Sequence, residues 1–248
     1  MNKPIAAWTK PDYGVDAPAV MRNFFLVGSA LLLVALFTPR VWHVGKVDFE
    51  LHATFYITGA FFFAEGFLFL LYVKVGKFRH RDFMLSMHAW RGDELVLDVG
   101  CGRGLLLAGA AKRLTSGHAT GLDVWSNEDM GGNSEPATLR NLEIEGITER
   151  CTLVSAGAQQ MPFEDASFDV VVSNLCLHNI YDRPTRQRAI AEIARVLRPG
   201  GLALLSDYKL TGEYAKQLRE MGFDVTLRWG SFVTTFPPLR VVIARKPA

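Results

Sequence analysis

The chain has 248 residues, enough for one well-buried domain and a small addition but crowded for two full domains. Its 27 basic and 25 acidic residues leave a formal charge of +2, which excludes a broad electrostatic footprint for nucleic acid, and 49% hydrophobic with 21% charged residues excludes a disordered chain. Three cysteines, Cys101, Cys151 and Cys176, form no CxxC pair and no even disulfide framework, so a reducing compartment is expected, with no metal site.

The mean hydropathy of +0.14 is high for a soluble chain, and the excess is local. Residues 23–39 carry no charge, and residues 53–73 carry only Glu65. As helices they reach roughly 26 and 32 Å against a hydrocarbon core of about 30 Å, so two transmembrane helices are expected. They form an N-terminal membrane hairpin within residues 1–77, followed by a domain over 78–248. A buried hairpin in a soluble core competes with this reading, but the run from Phe61 to Phe63 and the run from Phe67 to Tyr72 put apolar side chains on every face. A signal peptide is disfavoured because Pro39, Arg40 and Val41 offer no small-residue cleavage pattern.

Orientation follows from the basic residues. Lys3, Lys10, Arg22, Lys74, Lys77, Arg79 and Arg81 flank the hairpin ends, against Arg40 and Lys46 in its loop. Seven against two places both termini and the domain in the cytoplasm, as in a bacterial inner membrane. Glu65 needs a partner or a proton at that depth. It reads either as a protonated carboxyl bonded to Ser29 or a backbone carbonyl, or as a substrate or oligomer contact. Gly28, Ser29, Ala30, Gly59, Ala60, Ala64 and Gly66 are small enough for the helices to approach closely.

From Glu94 onward short β-branched runs alternate with helical stretches, the pattern of a parallel α/β fold. Strands are expected at Leu95–Val99, Ala119–Val124, Thr152–Ala156, Val170–Ser173 and Leu202–Asp207. Helices are expected at Leu105–Leu114, Glu135–Glu145, Arg186–Leu197 and Glu213–Met221. Asp224–Trp229 and Val241–Arg245 follow without an intervening helix and suit a closing antiparallel pair.

The first of these strands runs into Gly100-Cys101-Gly102-Arg103-Gly104 and then a helix, where glycines let the backbone approach a nucleotide-like ligand. Asp123 ends the next strand, 21 residues after Gly102, where a carboxylate can accept both ribose hydroxyls. The spacing is GxGxG rather than GxGxxG, and no GxxxxGK[ST] occurs, so nicotinamide and phosphate-loop readings lose ground.

The run Leu95-Val96-Leu97-Asp98-Val99-Gly100-Cys101-Gly102-Arg103-Gly104 resembles the first motif of class I S-adenosylmethionine-dependent methyltransferases. The resemblance continues through Met161-Pro162-Phe163-Glu164-Asp165-Ala166-Ser167-Phe168-Asp169 and Leu197-Arg198-Pro199-Gly200-Gly201, and it covers Leu95 to Asp207. It implies a Rossmann-like, doubly wound seven-stranded sheet with a closing antiparallel strand, and S-adenosylmethionine as cofactor. Asp98, Gly100, Gly102 and Gly104 would surround the methionine part, with Asn174 near its amino group. Asp123 would hold the ribose and Val124 would pack on adenine. An acidic residue usual in the family is replaced by Gly157, so Ala158 and Gln159 are left to meet the adenine. Residues 125–134 form a polar loop in which Ser134 or Asn133 can cap the next helix. Trp125 and this loop would cover the adenosine side of the pocket.

Methyl transfer from a sulfonium needs alignment and exclusion of water, and some acceptors also need a base. After the fourth strand the chain reads Asn174-Leu175-Cys176-Leu177-His178-Asn179-Ile180-Tyr181, without the [DN]-P-P-[YF] signature of amino-group methylation. His178 is the candidate base, or else a histidine bonded for structure, and Tyr181 is a pocket candidate with Tyr208. Cys176 has no activated-thiolate context and reads as a packed cysteine. A near-minimal domain tied to two apolar helices points to a small, hydrophobic or membrane-associated acceptor methylated at O, C or S. Similarity to small-molecule methyltransferases of the quinone-biosynthesis type supports this as analogy. A non-catalytic membrane scaffold or cofactor-sensing module on the same fold is the alternative.

Overall fold

The computed structural model describes residues 10–126 and 130–248; Lys3, and Asn127, Glu128 and Asp129 of the polar loop, lie outside them. The apolar N-terminal segments form α1 (Pro18–Phe37) and α2 (Leu51–Leu71), joined by an antiparallel ribbon of β1 (Trp42–Val44) and β2 (Val47–Phe49). Both helices are long and apolar enough to cross a membrane. Leu26, Leu33, Leu36, Phe37, Ile57, Phe61 and Phe67 are exposed. Glycine sets the helix contact: a Cβ on Gly28 would stand 2.9 Å from the Phe63 nitrogen, and one on Gly59 2.9 Å from the Leu32 nitrogen. Glu65 is half-buried and has no hydrogen bond or ion pair among the described residues, so the expected bond to Ser29 is not made. The reason is angular. Gly28 and Gly66 face the partner helix, and Ser29 and Glu65 each sit one residue away, about 100° around their helices.

α2 does not stop at the domain. It passes through a π-helical turn, Tyr72–Gly76, into α3 (Lys77–Leu85), so one helical run carries the chain from Leu51 to Leu85. The division expected at residue 77 falls inside this run. Met84 and Leu85 are fully buried, and a Cβ on Gly109 would stand 2.8 Å from Leu85, so α3 packs tightly on the first helix of the domain.

The domain is a seven-stranded sheet built from β3 (Leu95–Val99), β4 (His118–Asp123), β5 (Cys151–Ser155), β6 (Phe168–Asn174), β7 (Leu197–Asp207), β8 (Asp224–Trp229) and β9 (Arg240–Arg245). The order is β5-β4-β3-β6-β7-β9-β8, with β9 antiparallel to both neighbours. The helices are α4 (Leu105–Ala111), α5 (Glu135–Ile144), α6 (Arg183–Val196) and α7 (Thr211–Glu220). Alternation along the strands divides the core: Leu97, Val99 and Val171 pack with Ile190, Ile193 and Leu218 on one face, while Val96, Val170 and Val172 pack with Met84, Leu107 and Leu142 on the other. Burial on both faces is why the strands read as nearly continuous apolar runs.

Local chemistry explains where the elements depart from expectation. α6 starts three residues early because Asp182 accepts from the Thr185 amide at 2.9 Å and Pro184 sits in the first turn. β4 stops at Asp123 because that carboxylate turns back to accept from the Trp125 amide at 2.6 Å. β7 begins at Leu197, with residues 198–201 looped out between its pairings to Phe168 and Val170. The Met161–Asp169 motif proves to be architecture. Arg195 donates to the Met161 and Phe163 carbonyls, and Asp169 accepts from the Leu95 amide at 2.8 Å and fixes the start of β3.

Candidate functional site

At the carboxyl ends of β3 and β4 the chain makes a cradle. Gly100 and Gly102 take left-handed backbone, φ +72° and +52°, and a Cβ on Gly100 would fall 2.1 Å from the Cys176 sulfur. The Gly102 amide donates to Asp123 Oδ2 at 2.7 Å, and Asn133 Nδ2 donates to Asp123 Oδ1 at 3.2 Å. Asp123 is thus oriented by the glycine loop and by the loop before α5. Ser134, not Asn133, caps α5, accepting from the Ala137 amide. Gly104 ends the turn as the cap of α4 and faces Thr138, outside the cavity.

A cavity of about 640 Å³ opens beside this cradle. Gly100, Gly102, Asp123, Val124, Ala158, Gln159 and Asn174 line one end of it, so the structure brings together every expected cofactor residue on that wall except Asp98, which lies deeper, and Gly104. Val124 is 65% exposed, an apolar surface presented to the open volume. Gly157 leaves space that Gln159 uses: a Cβ there would stand 2.6 Å from Gln159 Nε2. Trp125 does not line the cavity; its indole N–H donates to Ser155 Oγ at 2.6 Å.

Beyond the glycine loop a smaller recess is lined by Asp98, Asn174 and Gly100. Asp98 is 1% exposed, and burial, with the Asp123 charge added, pushes its carboxyl up to about 8. Asp98 Oδ2 and Asn174 Oδ1 are buried and have no donor. Unsatisfied buried acceptors of this kind are costly unless a ligand completes them. An ammonium group does so and also stabilises the ionised carboxylate, so the site fits the amino end of S-adenosylmethionine.

The other expected residues gather at the far wall. His178 lies on a short 3-10 turn after β6, and its Nδ1 stands 2.8 Å from Asp207 Oδ1, off the direction of an in-line hydrogen bond. Asp207 is 1% exposed and is held beneath the ring by the His178 amide (3.2 Å), the Tyr208 amide (2.9 Å) and the Tyr214 hydroxyl (3.2 Å). The Tyr208 ring meets His178 edge-on at 4.8 Å. Tyr181 stands at the rim, 76% exposed. Burial pushes the Cys176 thiol up, away from a reactive thiolate. Asp207 is the residue that sequence reasoning undervalued; its signal was a carboxylate ending the fifth parallel strand beside the cavity.

The remaining wall is apolar and comes partly from the hairpin: Val20 and Phe24 of α1, Phe69 at the end of α2, and Leu175, Phe236 and Pro237. Phe236 packs against Phe24 and Phe69 with ring centres 6.4 and 6.3 Å apart.

Residues 97–205 match a family model described as a methyltransferase domain. The match spans 109 of the 248 residues and makes the α/β domain similar to that family. The chain is 36% identical over 124 residues to sterol 4-C-methyltransferase strm-1 of Caenorhabditis elegans, covering 50% of this chain and 34% of that protein. It is 30% identical over 155 residues to the ubiquinone/menaquinone biosynthesis C-methyltransferase UbiE of Ruegeria sp., covering 62% and 58%. The chain thus spans less than two thirds of these relatives' lengths. The fold is similar to that of the Burkholderia thailandensis 1,6-didemethyltoxoflavin-N1-methyltransferase, whose structure contains S-adenosylhomocysteine, with a TM-score of 0.57, 20% identity and coverage of 72% of this chain and 81% of that one.

Proposed function

We propose that the protein transfers a methyl group from S-adenosylmethionine to a small hydrophobic acceptor at oxygen or carbon, at the cytoplasmic face of a membrane. One observation carries the reading: Val20, Phe24 and Phe69 belong at once to the apolar hairpin and to the wall of the cavity that holds Asp123 and His178. An acceptor dissolved among lipid chains meets an apolar surface that leads to the cradle. The sterol and quinone-biosynthesis relatives support an acceptor of that polarity.

Asp98 and Asn174 would hold the cofactor's ammonium, Asp123 its ribose, and Val124 with Gln159 its adenine. S-adenosylmethionine supplies an electrophilic methyl group on a sulfonium. His178 takes the acceptor's proton on the ring nitrogen opposite Asp207, the Tyr208 ring packs against the imidazole, and the Asp207 charge balances the imidazolium that forms. The acceptor so deprotonated would be the nucleophile to which the bound cofactor's methyl group is presented, with the sulfur as its leaving group. The apolar wall keeps water out while the reacting atoms align.

The test uses full-length protein in lipid vesicles supplemented with membrane extract and methyl-labelled cofactor. Label is expected in the organic-soluble fraction. His178→Ala should lower turnover about 10²-fold or more while S-adenosylhomocysteine binding stays within about twofold. Cofactor binding with no transfer to any fraction would replace this reading with the non-catalytic scaffold.

A further inference from the structure

The recess beyond the glycine loop is closed by residues outside the methyltransferase domain. A strap, residues 12–16, crosses the loop and is fastened at several points. The Asp12 amide donates to Asn141 Oδ1 (2.9 Å), and Asn141 Nδ2 returns a bond to the Asp12 carbonyl (2.8 Å). Arg103 Nη2 pairs with Asp12 Oδ2 at 3.0 Å, and the Tyr13 hydroxyl donates to Glu145 at 2.7 Å.

The second contribution is the π turn. Residues five apart on an α-helix point about 140° away from each other. Here the Lys77 amide bonds to the Tyr72 carbonyl, and the wider turn lets both side chains line the recess. Lys77, 5% exposed, donates to the carbonyls of Tyr13 (2.8 Å) and Gly14 (2.5 Å). Its ammonium lies 3.6 Å from Asp16 Oδ2, an ion pair without a hydrogen bond.

Three buried acceptors on this one recess lack a donor: Asp16 Oδ2, Asp98 Oδ2 and Asn174 Oδ1. One buried donor there, Arg103 Nε, lacks an acceptor. An α-amino acid zwitterion answers both needs, with three N–H donors on its ammonium and a carboxylate for the guanidinium. Lys77 lies against Asp16 and Arg103 against Asp12, so among the described residues Asp98 is the acidic group of the recess without a basic partner of its own.

We propose that Asp16 is a third acceptor for the ammonium of the cofactor's methionine end, with Arg103 facing its carboxylate, so that the strap and the π turn are parts of the cofactor site. This rests on S-adenosylmethionine binding in the cavity as read above. The strap therefore supplies affinity for the amino-acid end of the cofactor and none for its adenosine.

Calorimetry on the full-length protein in nanodiscs tests it with two probes, S-adenosylhomocysteine and its deaminated analogue, which keeps the carboxylate and lacks the ammonium. Asp16→Asn should weaken S-adenosylhomocysteine about tenfold to a hundredfold and leave the analogue within about twofold. Asp16→Ala should give the same split and serves if the first variant folds poorly. Equal weakening of both probes, or of neither, would overturn the role of Asp16 while leaving the cofactor reading intact. Failure of the wild type to bind either probe would overturn the cofactor reading, and this inference with it.

Discussion

Asp98 carries the sharpest consequence at the scale of single residues. Its carboxyl, held at about 8 by burial and by Asp123, is far above the usual carboxylate range. The unfolded chain ionises it readily and the folded chain does not, so its contribution to stability is present at low pH and is lost as pH rises from about 4 towards 8. An ammonium ligand reverses the preference. Below pH 8, S-adenosylhomocysteine binding should release a proton, and its affinity should climb with pH by up to about tenfold per unit between 6 and 8. Calorimetry in two buffers of different ionisation enthalpy measures that proton directly, and Asp98→Asn should abolish it. The places of Asp98, Asp123, Gly100 and Gly102 around the cavity were legible in the sequence because they sit at fixed offsets along two short strands and one turn, whereas Gly104 faces Thr138 outside it. Asp207 and Asp16 were harder to read. Each meets its neighbour from far away in the chain, Asp207 with His178 at 29 residues and Asp16 with Lys77 at 61, and no local pattern encodes such a meeting.

At the scale of elements, the two-glycine seam decides how the hairpin holds. Gly59→Leu drives a side chain into the Leu32 backbone of α1 and should destabilise the hairpin by about 1–3 kcal/mol, whereas Ala60→Leu, on an exposed position of the same helix, should stay within about 0.5 kcal/mol. Denaturant-titrated unfolding of the two variants in detergent micelles compares them. Strand β3 falls where its apolar run begins and ends, because burial on both sheet faces dictates both the residues and their limits. The π turn was unreadable for the opposite reason: nothing in Tyr72-Val73-Lys74-Val75-Gly76 encodes an extra residue in the turn, and only packing reveals it. A Cβ on Gly76 would stand 1.7 Å from the Thr234 carbonyl oxygen, so the backbone of the β8–β9 connection presses directly on the turn. The early start of α6 was written plainly in Asp182, Arg183 and Pro184, a cap followed by a first-turn proline.

For the whole molecule, the decisive question is where the exposed apolar surface of α1 and α2 resides. In the membrane reading, alkaline carbonate washing should leave the protein in the pellet, and a lipid-soluble carbene reagent should label Leu26, Leu33, Ile57 and Phe61 while sparing the sheet. Release into the supernatant without those labels would assign the hairpin to a soluble protein or to a partner surface. The run from Leu51 to Leu85 adds a mechanical consequence. Its 35 residues make a rod about 52 Å long, of which the last 14, about 21 Å, pack against the α/β body. With no swivel between the two lengths, the sheet in the membrane reading would not roam beneath the bilayer like a tethered float. It rides as a rudder on its shaft, so any tilt of the shaft turns the mouth of the cavity by the same angle.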